Sequence, residues 1–223
     1  MPDGQYSFYL HSDDRTDIAA MATISTISQP LRGEFIRTAA TAGAVVYQVD
    51  ARLPALIPVF FAGQLSAVRL CAVMALVSGT WSSLTGLPDE PENGEAALPV
   101  SPETEYQRRR YTLTLQNGRS GERVESVLTE ASSRLRGDLL RNLIITGLAL
   151  HTTAPELPRL LASMPVPPTS VSELQALVQQ MAGTADVNRA AAAVPDTPAT
   201  SAVPVSGPDT REIKKNMRRA FGD

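Results

Sequence analysis

The sequence predicts a mostly α-helical chain with one short β-ribbon, built from two copies of a strand-helix-helix unit and extended by further helices and a disordered tail. Two observations carry that expectation. First, the stretches QYSFYLHS, from Gln5, and RYTLTLQN, from Arg110, both alternate apolar and polar residues as strands do. Second, at a constant offset of 104, Leu31, Arg32, Gly33, Arg37, Gly43, Leu53, Pro54 and Leu56 recur as Leu135, Arg136, Gly137, Arg141, Gly147, Leu157, Pro158 and Leu160. Ahead of these the offset becomes 105, which aligns the two strands. So many gapless matches mark an internal duplication.

Taken in order, Gln5 to His11 reads as a strand with Tyr6, Phe8 and Leu10 inward and Ser7, Tyr9 and His11 outward. Ser12 is the expected cap of the first helix, whose N-terminus Asp13, Asp14 and Asp17 favour. Ile18, Met21, Ile24 and Ile27 form its expected buried stripe. Gln29-Pro30 ends it, and a second helix is expected from about Leu31 to Tyr47. A Leu-Pro turn leads into helices at Leu53 to Phe61 and Gln64 to Ser78. The second copy repeats the plan. Tyr111, Leu113 and Leu115 point inward and Thr112, Thr114 and Gln116 outward, with Ser120 as the expected cap. Val124, Val127, Leu128 and Ala131 form the stripe, and a second helix runs from about Leu135 to His151. Further helices follow at Leu157 to Met164 and Val171 to Met181.

Composition separates these units. Residues 87–105 carry six acids and no base, whereas residues 106–163 carry nine arginines against five acids. The net charge of −3 therefore leaves room for a polyanionic partner. Residues 184–209 are rich in Ala, Pro, Thr and Val with little charge, which predicts disorder. The expected domains are 1–86, an acidic linker at 87–105, 106–183, a disordered linker at 184–209, and an amphipathic tail at 210–223. The single cysteine, Cys71, and the lack of a secretory signature predict a cytoplasmic protein without disulfides. The longest apolar region is broken by Pro58, Gln64 and Arg69, so no membrane span is expected. His11 and His151 lack metal-spaced partners, and no phosphate loop, catalytic carboxylate pair or nucleophile motif is present. The expectation is no metal, no cofactor and no enzymatic activity.

A seven-residue strand satisfies its backbone groups only by pairing, and the natural partner is the equivalent strand of a second copy. Two strand-helix-helix units joined by antiparallel strands make a ribbon-helix-helix fold. Pairing within one chain is the expectation, with pairing between chains the alternative. Phe35, Ile36, Ala39 and Val46, with Leu139, Leu140, Leu143, Ile144 and Leu150, are the expected core. Gly43 and Gly147, repeated in mid-helix, predict a close helix crossing. A two-stranded ribbon fits the major groove of B-DNA, where outward side chains meet base edges. The candidate DNA contacts are Ser7, Tyr9, His11, Thr112, Thr114 and Gln116 on the ribbon, with Arg108 and Arg110 supplying charge. At the second helices' N-termini, Arg32, Gly33, Arg136 and Gly137 are candidates for phosphate contacts.

The second helix with its A-x-x-x-G element (Ala39 to Gly43), Tyr47, and the Asp50-Ala51-Arg52-Leu53-Pro54 turn resemble ParR, also called StbB. That family is the centromere-binding adaptor of actin-type plasmid partition systems. Near the C-terminus, Ile213-Lys214-Lys215-Asn216-Met217 is similar to the Lys-Lys-Asn segment with which such proteins engage their actin-like ATPase. The resemblance implies an adaptor that binds repeated centromere-like sites on double-stranded DNA, self-associates into an array, captures a ParM/StbA-type filament and represses its own promoter. It implies partner contacts at Ile213, Lys214, Lys215, Met217, Arg218 and Phe221. Written as a helix, Ile213, Met217 and Phe221 also share one side at i, i+4 and i+8. The chain departs from the usual family pattern by carrying two units and by lacking a basic residue in its first strand. The alternative functions are a transcriptional repressor or a conjugative relaxosome accessory protein, as in tandem proteins resembling TraY.

Overall fold

The computed structural model describes residues 4–80 and 107–192, with side chains through residue 183. The acidic linker at 87–105 and the tail at 210–223 lie outside the described residues. The described residues up to 188 belong to one compact unit, whose fold follows.

Its elements are β1 (Gln5–His11), α1 (Arg15–Ser25), α2 (Gln29–Val49), α3 (Leu53–Phe60) and α4 (Ala67–Ser78), then β2 (Arg108–Thr114), α5 (Arg119–Glu130), α6 (Arg136–Thr153), α7 (Leu157–Ser163) and α8 (Val171–Ala192). The described part is thus mostly helical, with one antiparallel two-stranded sheet formed by β1 and β2 of the same chain. Ser7 faces Thr112, and the register runs from Gln5 opposite Thr114 to His11 opposite Arg108. Under the 105-residue offset Ser7 and Thr112 are equivalent. A local two-fold axis therefore passes between them, and each strand repeats the other on the opposite side.

Beneath the ribbon, Phe8, Leu10, Leu113 and Leu115 are buried, and Phe8 stacks on Tyr111 with ring centroids 5.2 Å apart. The next layer is the crossing of α2 and α6, where residues 39–46 and 143–150 are buried on every face. Burial all round a helix requires small or apolar residues throughout, and both segments supply them. At the crossing, a Cβ on Gly43 would meet the carbonyl of Leu143, and one on Gly147 would meet the carbonyl of Ala39. Ala39 and Leu143 are themselves repeat equivalents, so the two contacts are related by the same two-fold. Phe35 and Leu139, expected in the core, sit half-buried at its edge.

Several local expectations need correction. The cap of α1 is Asp14, whose Oδ1 accepts from the N–H groups of Thr16 and Asp17 at 2.8 and 3.1 Å. Ser12 is taken up by the ribbon end: its N–H donates to Gln107 O and its Oγ accepts from Gln107 N. The buried face of α1 is Asp17, Ala19, Ala20 and Ile24, while Ile18, Met21 and Ile27 are only partly covered. Asp17 turns that face inward by accepting from the His11 N–H at 2.9 Å and from Arg141 Nε at 2.7 Å. The cap of α5 is Gly118, at φ 136°, and Ser120 instead donates to Ala162 O. Finally, α8 continues through Ala192, past residue 183 where composition predicted disorder to begin. Its alanines, among them Ala190 to Ala192, have the highest helix propensity of any residue.

Candidate nucleic-acid interface

The face of the ribbon turned away from the helices is set by strand alternation. Because Phe8, Leu10 and Leu113 point to the core, Gln5, Ser7, Tyr9 and His11 share the other face with Arg108, Arg110, Thr112 and Thr114. The residues of β2 on this face are all exposed, whereas Ser7, Tyr9 and His11 are half-buried. Arg108, Arg109 and Arg110 are the first three residues of β2. Arg109 pairs opposite Leu10 on the other face and lies over the Tyr111 ring at 5.3 Å, leaving Arg108 and Arg110 as the outward cations.

Both outward guanidiniums lie across onto the first strand. Arg110 donates from Nε and Nη2 to Ser7 Oγ, at 3.2 and 3.0 Å. The Arg108 guanidinium carbon sits 3.6 Å from the centroid of the Tyr9 ring. A guanidinium has five N–H donors, so Arg110 keeps three for other acceptors while Ser7 fixes its orientation. Tyr9 holds Arg108 by cation–π attraction. The neutral first strand therefore acts as a platform for the cations of the second. This platform is a role that the sequence reading, which took Ser7 and Tyr9 for base contacts in their own right, did not foresee. Gln5, exposed on the same face opposite Thr114, was also missed. The alternation already legible in QYSFYLH puts it there.

The remaining candidates are placed differently. Gln116 is exposed but lies beyond the end of β2, and its carbonyl packs where a Cβ on Gly121 would stand. Arg32 and Arg136 turn back on their own units. Arg32 donates from Nε to Ile27 O at 2.7 Å and from Nη2 to Ser25 O at 3.2 Å, and Arg136 Nε donates to Ala131 O at 3.3 Å. Each closes the carbonyl end of the preceding helix, a structural use that repeats in both copies. Because α2 starts at Gln29, two residues earlier than expected, Gly33 lies past its first turn and its N–H falls within the helical ladder. Pro at the second helical position permits that earlier start. Gly137, at the second position of α6, keeps a first-turn N–H, and a Cβ there would lie 3.5 Å from Ser7 O. Only the second copy thus brings its helix N-terminus against the ribbon with a first-turn glycine.

The clefts flanking the two ends of the ribbon differ in charge, the acidic one lying at the end whose outward face carries Arg108. Beside His11, Asp13, Asp14, Asp17, Asp138 and Arg141 line a cleft of about 480 Å³. Beside Gln116, a cleft of about 330 Å³ is lined by Arg37, Arg119 and Arg159, with Glu34 the one acid. Burial pushes the Asp17 carboxyl above the usual carboxylate range, against the pull of the His11 N–H and the Arg141 guanidinium.

None of the described helices is long and apolar enough to cross a membrane. No curated protein and no solved structure matches the chain. A family model described as "Plasmid stability protein" matches it twice, over residues 4–74 and 109–178. Each match begins at a ribbon strand and reaches into the last helix of its copy, α4 or α8. With the two matches together covering more than half of its length, the chain belongs to the plasmid stability protein family.

Proposed function

We propose that this protein is a DNA-binding adaptor of plasmid maintenance, in which the two copies act as a fused ribbon-helix-helix pair. The observation that carries the reading is the outward face of the ribbon. One chain presents Arg108, Arg110, Thr112 and Thr114 side by side, with both guanidiniums oriented by the neighbouring strand. A ribbon of this width enters the major groove, arginine pairs bidentately with guanine, and threonine meets the thymine methyl or donates to a base edge. The membership in a plasmid stability family supports a plasmid as the DNA concerned. The resemblance to ParR adds the second half of the proposal, an actin-like filament captured by the tail around Ile213, Lys214, Lys215, Met217, Arg218 and Phe221. The 17 residues at 193–209, beyond the end of α8, would give that tail a reach of roughly 20–25 Å as a flexible chain. Repeated DNA sites and self-association would then multiply weak tail contacts by avidity.

Two experiments separate the halves of this proposal. Replacing Thr112 and Thr114 together by alanine should weaken binding to a cognate plasmid site far more than to random duplex; equal losses would remove base reading. Deleting residues 210–223 should leave DNA binding intact and abolish co-sedimentation with the polymerised partner ATPase. Unchanged co-sedimentation would remove the filament role and favour a repressor or relaxosome accessory.

A further inference from the structure

The ribbon is two-fold in its backbone but not in the side chains it presents. The axis between Ser7 and Thr112 exchanges Gln5 with Arg110 and Tyr9 with Thr114, counting by the 105-residue repeat. One end of the outward face therefore carries Arg110 and Tyr9, followed by Arg108 and His11, while the other carries Gln5 and Thr114. A homodimer would present the same residues at both ends. A duplicated chain is released from that constraint, and here the described residues of the two ends differ, Arg108 and Arg110 at one against Gln5 and Thr114 at the other.

From this asymmetry we infer that the DNA element read by the ribbon is non-palindromic, with guanine specified at the Arg108–Arg110 end and adenine at the Gln5 end. The inference rests on the proposed DNA-binding role and makes Gln5 a specificity-determining residue. Chemistry assigns the bases. Guanidinium pairs with guanine O6 and N7, and a glutamine amide with adenine N6 and N7. Same-face residues on a strand stand about 6.6–6.8 Å apart, close to two base steps of about 3.4 Å. The outward face from Gln5 to His11 thus spans about six base steps, enough for both ends to reach bases within one groove segment. Operator symmetry mirrors protein symmetry, so a face lacking two-fold side-chain symmetry selects an oriented site. Orientation has a consequence for an array: successive copies on repeated elements would all face the same way along the DNA.

The test is selection of bound duplexes from a randomised library by the full chain, followed by affinity measurements on the enriched element and its permutations. An element with guanine at one end, adenine at the other and no internal two-fold supports the inference. A palindromic element overturns it while leaving DNA reading by the ribbon in place. No enrichment at all fells the DNA-reading proposal, and this inference with it. Gln5 is exposed, so its variants should keep the wild-type circular dichroism spectrum. Gln5→Ala should reduce discrimination at the adenine end by about 5- to 150-fold and leave the arginine end unchanged. Gln5→Arg should move the base preferred at its end from adenine to guanine and make the selected element more nearly palindromic. An unchanged preference in both variants would overturn the assignment of Gln5.

Discussion

The first and second copies of the unit agree where their helices cross and disagree where their strands end. At the crossing, Gly43 against Leu143 and Gly147 against Ala39 are the same contact made twice. At the strand ends, Asp14 and Asp17 of the first copy receive Arg141, whereas the matching positions of the second copy, counted from the helix caps Asp14 and Gly118, are Gly118 and Gly121. Arg37, the counterpart of Arg141, pairs instead with Glu34 on its own helix. A side chain at position 121 would collide with the Gln116 carbonyl, so no carboxylate fits there. Backbone packing is held in common because both halves build one core. The polar periphery is free to differ, and there one end of the body became acidic and the other basic.

The largest expected consequence of this difference lies in the two arginines. Arg141→Ala leaves Asp17 fully buried beside Asp14 without its counter-charge, and should cost about 3–5 kcal/mol. Arg37→Ala removes an exposed pair and should cost less than about 1 kcal/mol. Chemical denaturation of the two variants measures both; equal losses would contradict the asymmetry. The Arg141→Ala deficit should also depend on pH. Asp17 has a folded pKa above its unfolded value of 3.8, so its stabilising contribution is complete below 3.8 and is lost as pH rises through the folded value. Removing Arg141 raises that folded value further, so the deficit should shrink as pH falls toward 3.8.

A smaller effect, alike in both copies, is expected at the crossing. Gly43→Ala and Gly147→Ala should each destabilise by about 1–3 kcal/mol or more through overpacking against backbone, and by similar amounts. A loss at one site alone, read from the same denaturation curves, would break the two-fold picture. The smallest effect concerns Thr146, fully buried with no hydrogen-bond partner for its Oγ1 among the described residues. Its counterpart in the first copy is Ala42, also fully buried. Thr146→Val exchanges the unsatisfied hydroxyl for a methyl and should raise the stability by about 1 kcal/mol. A thermal melt showing destabilisation would mean that the hydroxyl has a partner.

Much of this architecture was legible in the sequence because duplication doubles each local signal. Alternation gave β1 and the core face of β2, and the paired mid-helix glycines anticipated the crossing. The helix starts were harder, since several residues compete to cap. Ser12 and Ser120 have the right chemistry, but the first is drawn into the ribbon end and the second toward Ala162. The fates of Arg32 and Arg136 were hidden for a related reason. A guanidinium beside a glycine at a helix start looks alike whether it meets a phosphate or the last carbonyls of the preceding helix. Composition showed that the first strand lacks a base, but only the register shows that Ser7 and Tyr9 orient the bases of the second.

In the proposed function one chain makes one complete DNA-reading ribbon. The measurement that tests this most directly is the stoichiometry of the complex on a duplex carrying a single minimal site, by sedimentation velocity or native mass spectrometry at concentrations where the free protein is monomeric. The structure of the ribbon predicts one chain per duplex, with a binding isotherm of unit Hill coefficient. Two chains per minimal site, or no complex on any plasmid-derived duplex, would contradict it.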